Sequence, residues 1–206
     1  MRMRFPKLKV TLIKKEGDCY HGYEVGDSFI FDDFTHPPEH FCLGIAHSIF
    51  PSLYALTFGA KFLFMDNPKS LKTTCPDNGK LEFLTEVLDD NGNVILEQKI
   101  SPPPGPRPKK MVVSVEEVRG KCFYCYKVGD KWELTGLRTI PNFCGAAYHT
   151  MFPVLFALNF GATYPFMQNP NSLDTITCPD GGHIRFKVTR VEEGLPTGQA
   201  GEEKIK

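Results

Sequence analysis

At 206 residues with 24 Lys and Arg against 24 Asp and Glu, the chain has a formal net charge of zero. Nothing in that balance draws it to nucleic acid or an anionic membrane. Its 41% hydrophobic and 23% charged composition is that of a soluble globular protein. No window approaches the 18 apolar residues of a membrane span, and the basic start MRMRFPKLKV has no apolar core behind it to read as a signal peptide.

In chain order, residues 8–14 (LKVTLIK) alternate apolar and polar and predict a strand, and Ser28 to Phe31 a second. The stretch from Cys42 to Met65 then recurs from Cys144 to Met167. Overlaid without a gap, Cys, His, Phe, Pro, Leu, Ala, Leu, Phe, Gly, Ala, Phe and Met coincide, half of the 24 positions. An internal duplication of that density sets the architecture. Ile45, Ile49, Leu53 and Leu56 fall at helical spacing, with Pro51 and Pro153 inside the pattern. A proline removes a backbone donor, so two short helices per copy are expected, each proline in the first turn of the second. Gly59 and Gly161 suit C-terminal caps.

Turn sequences at Thr74-Cys75-Pro76-Asp77 and Thr177-Cys178-Pro179-Asp180 lead to strands Leu81–Leu88 and Ile184–Val191. Val112 to Val118 and Trp132 to Leu134 are the matching early strands of the second copy. Asp90-Asn91-Gly92 signals a hairpin, with Val94 to Ile100 as a return strand in the first copy alone. The expected fold is α+β, two tandem ββαβ-like repeats packed with pseudo-two-fold symmetry. Repeat 1 spans 7–100, a proline-rich linker 101–110, repeat 2 spans 111–193, and 194–206 reads as a disordered tail. Units of about 80 residues stand near the lower limit for an independent core, which favours a shared one.

Drift between the copies has spared few reactive residues. Cys19 matches Cys122, Cys42 matches Cys144, His47 matches His149, and Cys75 matches Cys178. Thiolate and imidazole are what zinc and iron select, so these eight are the candidate metal ligands. Their wide spacing is unlike that of paired-ligand zinc sites. Cys42 and His47, five apart, diverge by about 140° on a regular helix unless Cys42 precedes it. A cysteine at a helix N-terminus also gains thiolate character, which makes Cys42 and Cys144 candidate nucleophiles with His47 and His149 as proton acceptors. Against both stands burial: cysteine often serves as a small hydrophobe, and each histidine shares a stripe with phenylalanines. Cys122 and Cys125 form a CxxC in one copy only, while His21, His36, His40 and His183 are unmatched and read as solvated loop residues. Seventeen phenylalanines and seven tyrosines supply a core, or a pocket between the copies for a flat apolar ligand.

Phe143-Cys144, Gly161, the Thr177-Cys178-Pro179-Asp180-Gly181-Gly182 turn and Phe186-Lys187-Val188 resemble a family of small, largely uncharacterised proteins. The first copy matches through Phe41-Cys42, Gly59 and Thr74-Cys75-Pro76-Asp77-Asn78-Gly79. Members are typically single units under about a hundred residues, mostly of anaerobic bacteria and archaea. The resemblance implies a covalent version of a homodimer in an anaerobic, cytoplasmic setting, and brings no reaction. Seven cysteines, an odd number with no export signal, point to reduced thiols in the cytoplasm on their own account. The expected function is a small cytoplasmic metal- or ligand-binding protein, or an enzyme of anaerobic metabolism. The alternatives are an interaction module with a protein partner and structural cysteines, and a cofactor-independent thiol or acid-base enzyme.

Overall fold

The computed structural model describes residues 5–99, 101 and 108–191. Two four-stranded antiparallel sheets and two helices make an α+β fold. The first half holds β1 (Leu8–Lys15), β2 (Ser28–Phe31), α1 (Leu43–Thr57), β3 (Ser70–Thr74) and β4 (Leu81–Val87). The second repeats the order with β5 (Lys110–Val118), β6 (Lys131–Thr135), α2 (Gly145–Asn159), β7 (Ser172–Thr177) and β8 (Ile184–Val191). The sheet orders β2-β1-β4-β3 and β6-β5-β8-β7 are the same.

Alternation in the central strands fixes which face is covered. Leu8, Val10 and Leu12 of β1 and Leu81 and Phe83 of β4 are buried, and Ile45, Ile49, Leu53 and Leu56 of α1 are buried with them. In the second half Met111, Val113, Val115, Ile184, Phe186 and Val188 are buried, as are Met151, Leu155 and Leu158 of α2. Period 2 in the strands and 3.6 in the helix therefore serve one interior. All these residues belong to a single hydrophobic cluster drawn from both halves.

Both copies kept the same irregularity. The β1–β4 register slips between Leu12 and Lys14, and β5–β8 slips between Val115 and Glu117. Asp27 and Asp130, duplicated in sequence, stabilise the turns that meet these bulges. Their carboxylates accept the Glu24 and Lys127 N–H groups at 2.8 Å, and their carbonyls accept the Leu12 and Val115 N–H groups at 2.9 Å.

Four expectations change. Each unit is ββαββ, because β3 and β7 form edge strands where a loop was expected. Ser70 alone is buried in β3, so its sequence carries little apolar alternation, and its pairing to β4 is mostly a backbone matter. Each proline-containing helix is continuous over 15 residues, not two short pieces. Proline's φ is compatible with a helix, so one lost hydrogen bond is tolerated where a buried face holds both sides. The return strand is reduced to a bridge, Leu88 with Val94, and one bond from the Ile95 N–H to the Val87 carbonyl at 2.8 Å. β4 is a central strand already paired on both edges, which leaves a further strand nothing to pair with. His183 is half-buried rather than solvated: a Cβ at Gly120 would stand 2.5 Å from its ring. Ile100, most of the proline-rich linker (102–107) and the 194–206 tail lie outside the described residues, and Lys110 already belongs to β5.

Glu117 on β5 takes both Arg119, at 2.9 Å, and Arg185 of β8, at 3.0 Å. Those bonds hold its carboxyl down to about 2, Arg119 first and Arg185 second. A depressed carboxyl contributes stability above its unfolded value near about 4.3 that is lost as pH falls through the folded one. Glu117→Gln is accordingly expected to flatten the acid limb of a stability–pH curve between about pH 4 and 2. Identical acid limbs for the variant and the parent, read by urea titration at each pH, would contradict this.

Candidate functional site

The two helices meet along a seam in which each contact has its counterpart in the other copy. The Lys61 N–H donates to the Phe160 carbonyl at 2.9 Å and the Thr163 N–H to the Phe58 carbonyl at 3.0 Å. Phe62 packs on Phe160 with centroids 4.7 Å apart, and Tyr164 on Phe58 at 5.0 Å. Phe64–Phe160 and Phe166–Phe58 follow at 6.1 and 6.0 Å. This reciprocity is the signature of an isologous contact, here made within one chain. Phe62 and Tyr164 are fully buried at its centre, and burial raises the Tyr164 phenol well above its ordinary range.

At the seam, the duplicated histidines face each other. The His47 and His149 rings stand 5.8 Å apart, 20° from parallel, and both residues are exposed. Neither is the buried core residue its aromatic stripe allowed. Pro51 and Pro153 lie one turn on and have no N–H to donate, which leaves the His47 and His149 carbonyls without their helical donor.

Beside the pair opens a cavity of about 720 Å³. Its apolar wall includes Leu134, Leu137, Tyr148, Phe152 and Leu155, and its polar groups are His47, His149, Ser48, Arg138 and Thr139. Tyr148 fastens the wall, since its hydroxyl accepts the Ile140 N–H of the loop that carries Arg138. Its mate on the other side of His47 is a cavity of about 290 Å³ lined by Phe31, Phe34, Leu43 and Phe50 among others. The difference follows from the sequence. Leu137 stands where the first copy has Phe34, and at the rim Gly145 stands where it has the exposed Leu43. Phe34 fills its own side by packing on Phe5, Tyr54 and Phe58 at 5.2–5.7 Å.

The cysteines lie elsewhere, two of them at the helix starts. Cys42 and Cys144 are the N-cap residues of α1 and α2, as the nucleophile reading requires, with no side-chain capping bond. Their N–H groups donate to the hydroxyls of Tyr23, at 3.0 Å, and Tyr126, at 2.9 Å. Burial raises both phenols, with Cys19 and Cys42 near one and Cys122 and Cys144 near the other. Cys75 precedes Pro76, whose ring would meet a Cβ on Gly44 in the first turn of α1. Cys178 takes the Ile184 N–H on its sulfur at 3.4 Å. All six are half-buried and unpaired, and Cys125 is exposed in a tight turn closed on the Cys122 carbonyl.

The histidine of each half thus stands apart from its N-cap cysteine. Cys42 caps the helix while His47, about 140° around it, points to the other copy. Among the described residues no group of three or more His, Cys, Asp or Glu is arranged to hold a metal ion. Tyr23 with Tyr126 is a pair the sequence also displayed, at the same offset as Cys19 with Cys122, and it went unread. Arg138, Tyr148 and Gly145 left no such signal, since nothing matches them in the first copy.

Comparison of the chain with family models, with curated proteins and with solved structures finds no match in any of the three. No described helix is long and apolar enough to cross a membrane.

Proposed function

We propose that the chain is a small-molecule-binding protein, two fused copies of one unit related by an approximate two-fold axis, with its ligand in the larger seam cavity. The supporting observation is the placement of His47 and His149. Two polar side chains retained in both copies meet at the junction, exposed, on the wall of an apolar cavity of about 720 Å³. Pockets of roughly 300–1,000 Å³, mostly apolar with a few convergent polar groups, are the usual form of a small-molecule site. The reading selects the ligand-binding branch of the expected function. Zinc or iron on the Cys/His set is less well supported, because the imidazoles turn away from the thiols. Cytoplasmic residence belongs to the same proposal and rests on seven free thiols.

The test uses a flat, neutral probe. 2-Naphthamide, followed by its own fluorescence, is expected to bind saturably with one site per chain. Absence of saturable binding by this probe and by charged naphthalenes of the same shape, up to their solubility limits, would remove the proposal.

A second reading, an interaction module, draws on Tyr20 and Phe123. These matched loop residues are 100% and 92% exposed, so both copies present an aromatic ring to solvent at the same place. Purification under mild conditions without a fixed protein partner would dispose of it.

A further inference from the structure

We infer that the seam cavity takes a flat apolar molecule ending in one anionic group, a carboxylate or a phosphate, with Arg138 as its counter-ion. This rests on the site proposed above and adds the class of ligand.

The first ground is the state of Arg138. Arg119 and Arg185 are both spent on Glu117, and Arg190 caps the end of α2 through the Leu158 and Ala162 carbonyls at 3.1 and 2.8 Å. Arg138 alone of the described arginines has neither an ion pair nor a hydrogen bond to a described residue. It stands in a wall that contains no aspartate or glutamate. A guanidinium matches the two oxygens of a carboxylate or phosphate with parallel N–H donors.

The second ground is the contrast between the halves. Counted from the paired strands β2 and β6, Thr35 occupies the place of Arg138. The half with threonine has Phe34 packed inward and a cavity of about 290 Å³, and the half with arginine has the smaller Leu137 and about 720 Å³. Space and cation occur together on one side. Space alone suits any apolar body, whereas the addition of a cation with no partner among the described residues selects an anion. Tyr148 and Phe152, on the same wall, offer ring faces for the flat part.

Binding of 2-naphthoate, 2-naphthyl phosphate and the near-isosteric neutral 2-naphthamide, each titrated on the whole chain, tests the inference. At least one anion is expected to bind about tenfold or more tightly than the amide, the difference made by one charge-assisted contact. The tighter of the two assigns carboxylate or phosphate. Arg138→Ala, a change at an exposed side chain, is expected to erase that preference and bring the anion and amide affinities within about twofold of each other. Equal binding of anions and amide would overturn the inference and leave the site standing. A preference that survives Arg138→Ala would overturn it too, by placing the cation elsewhere. Binding of none of the three would instead remove the site itself.

Discussion

Gly145→Leu is expected to lower the affinity of the chain for 2-naphthamide at least tenfold without lowering its stability. Gly145 is the first residue of α2, is exposed, and has no neighbour within 4 Å of where its Cβ would stand. A leucine enters without a clash, and replacing glycine in a helix is neutral to favourable. The first copy shows where such a side chain goes: Leu43, at the equivalent position, is 81% exposed at the rim of the smaller cavity, so a leucine here narrows the mouth of the larger one. A ligand denied about 60 Å² of apolar contact loses roughly 1.5 kcal/mol, or about tenfold in affinity. Fluorescence titration gives the affinity, and urea unfolding shows whether the fold is intact. A stable variant that binds as the parent does would place the ligand outside the seam.

The second large effect concerns cooperativity. Phe83 is fully buried on β4 of the first half, and its truncation to alanine is expected to cost about 3–5 kcal/mol. Trp132, the single tryptophan, lies in the second half on β6. Because one hydrophobic cluster runs through both halves and the seam buries Phe58, Phe62 and Tyr164, the loss in one half should be felt in the other. In Phe83→Ala the tryptophan transition is therefore expected to move to lower urea together with the far-UV circular dichroism transition. A tryptophan midpoint that stays where the parent has it would mean that the halves fold separately.

Much of the fold was legible because the duplication lets each copy check the other. β2 and β8 fall at the bounds expected from the sequence, and Gly59 and Gly161 end their helices at φ +82° and +87°, where a side chain is disfavoured. What escaped was whatever one residue's environment decides. The edge strands β3 and β7 exist because a central partner offers hydrogen bonds, and the continuity of the helices at Pro51 and Pro153 depends on the core beneath them. The candidate site divides along the same line. His47 and His149 were visible as a duplicated pair, but not that they face one another instead of the cysteines. Arg138 and Gly145 were invisible for an opposite reason. A comparison of copies finds what both retain, and this cavity owes its size and charge to what only one acquired.

The most direct test of the seam site is an NMR titration of the histidine ring nitrogens with 2-naphthamide. The account predicts that the His47 and His149 signals shift together and saturate at one ligand per chain, while those of the exposed loop residues His21 and His36 stay in place. Saturable binding that leaves both seam imidazoles unmoved would contradict it.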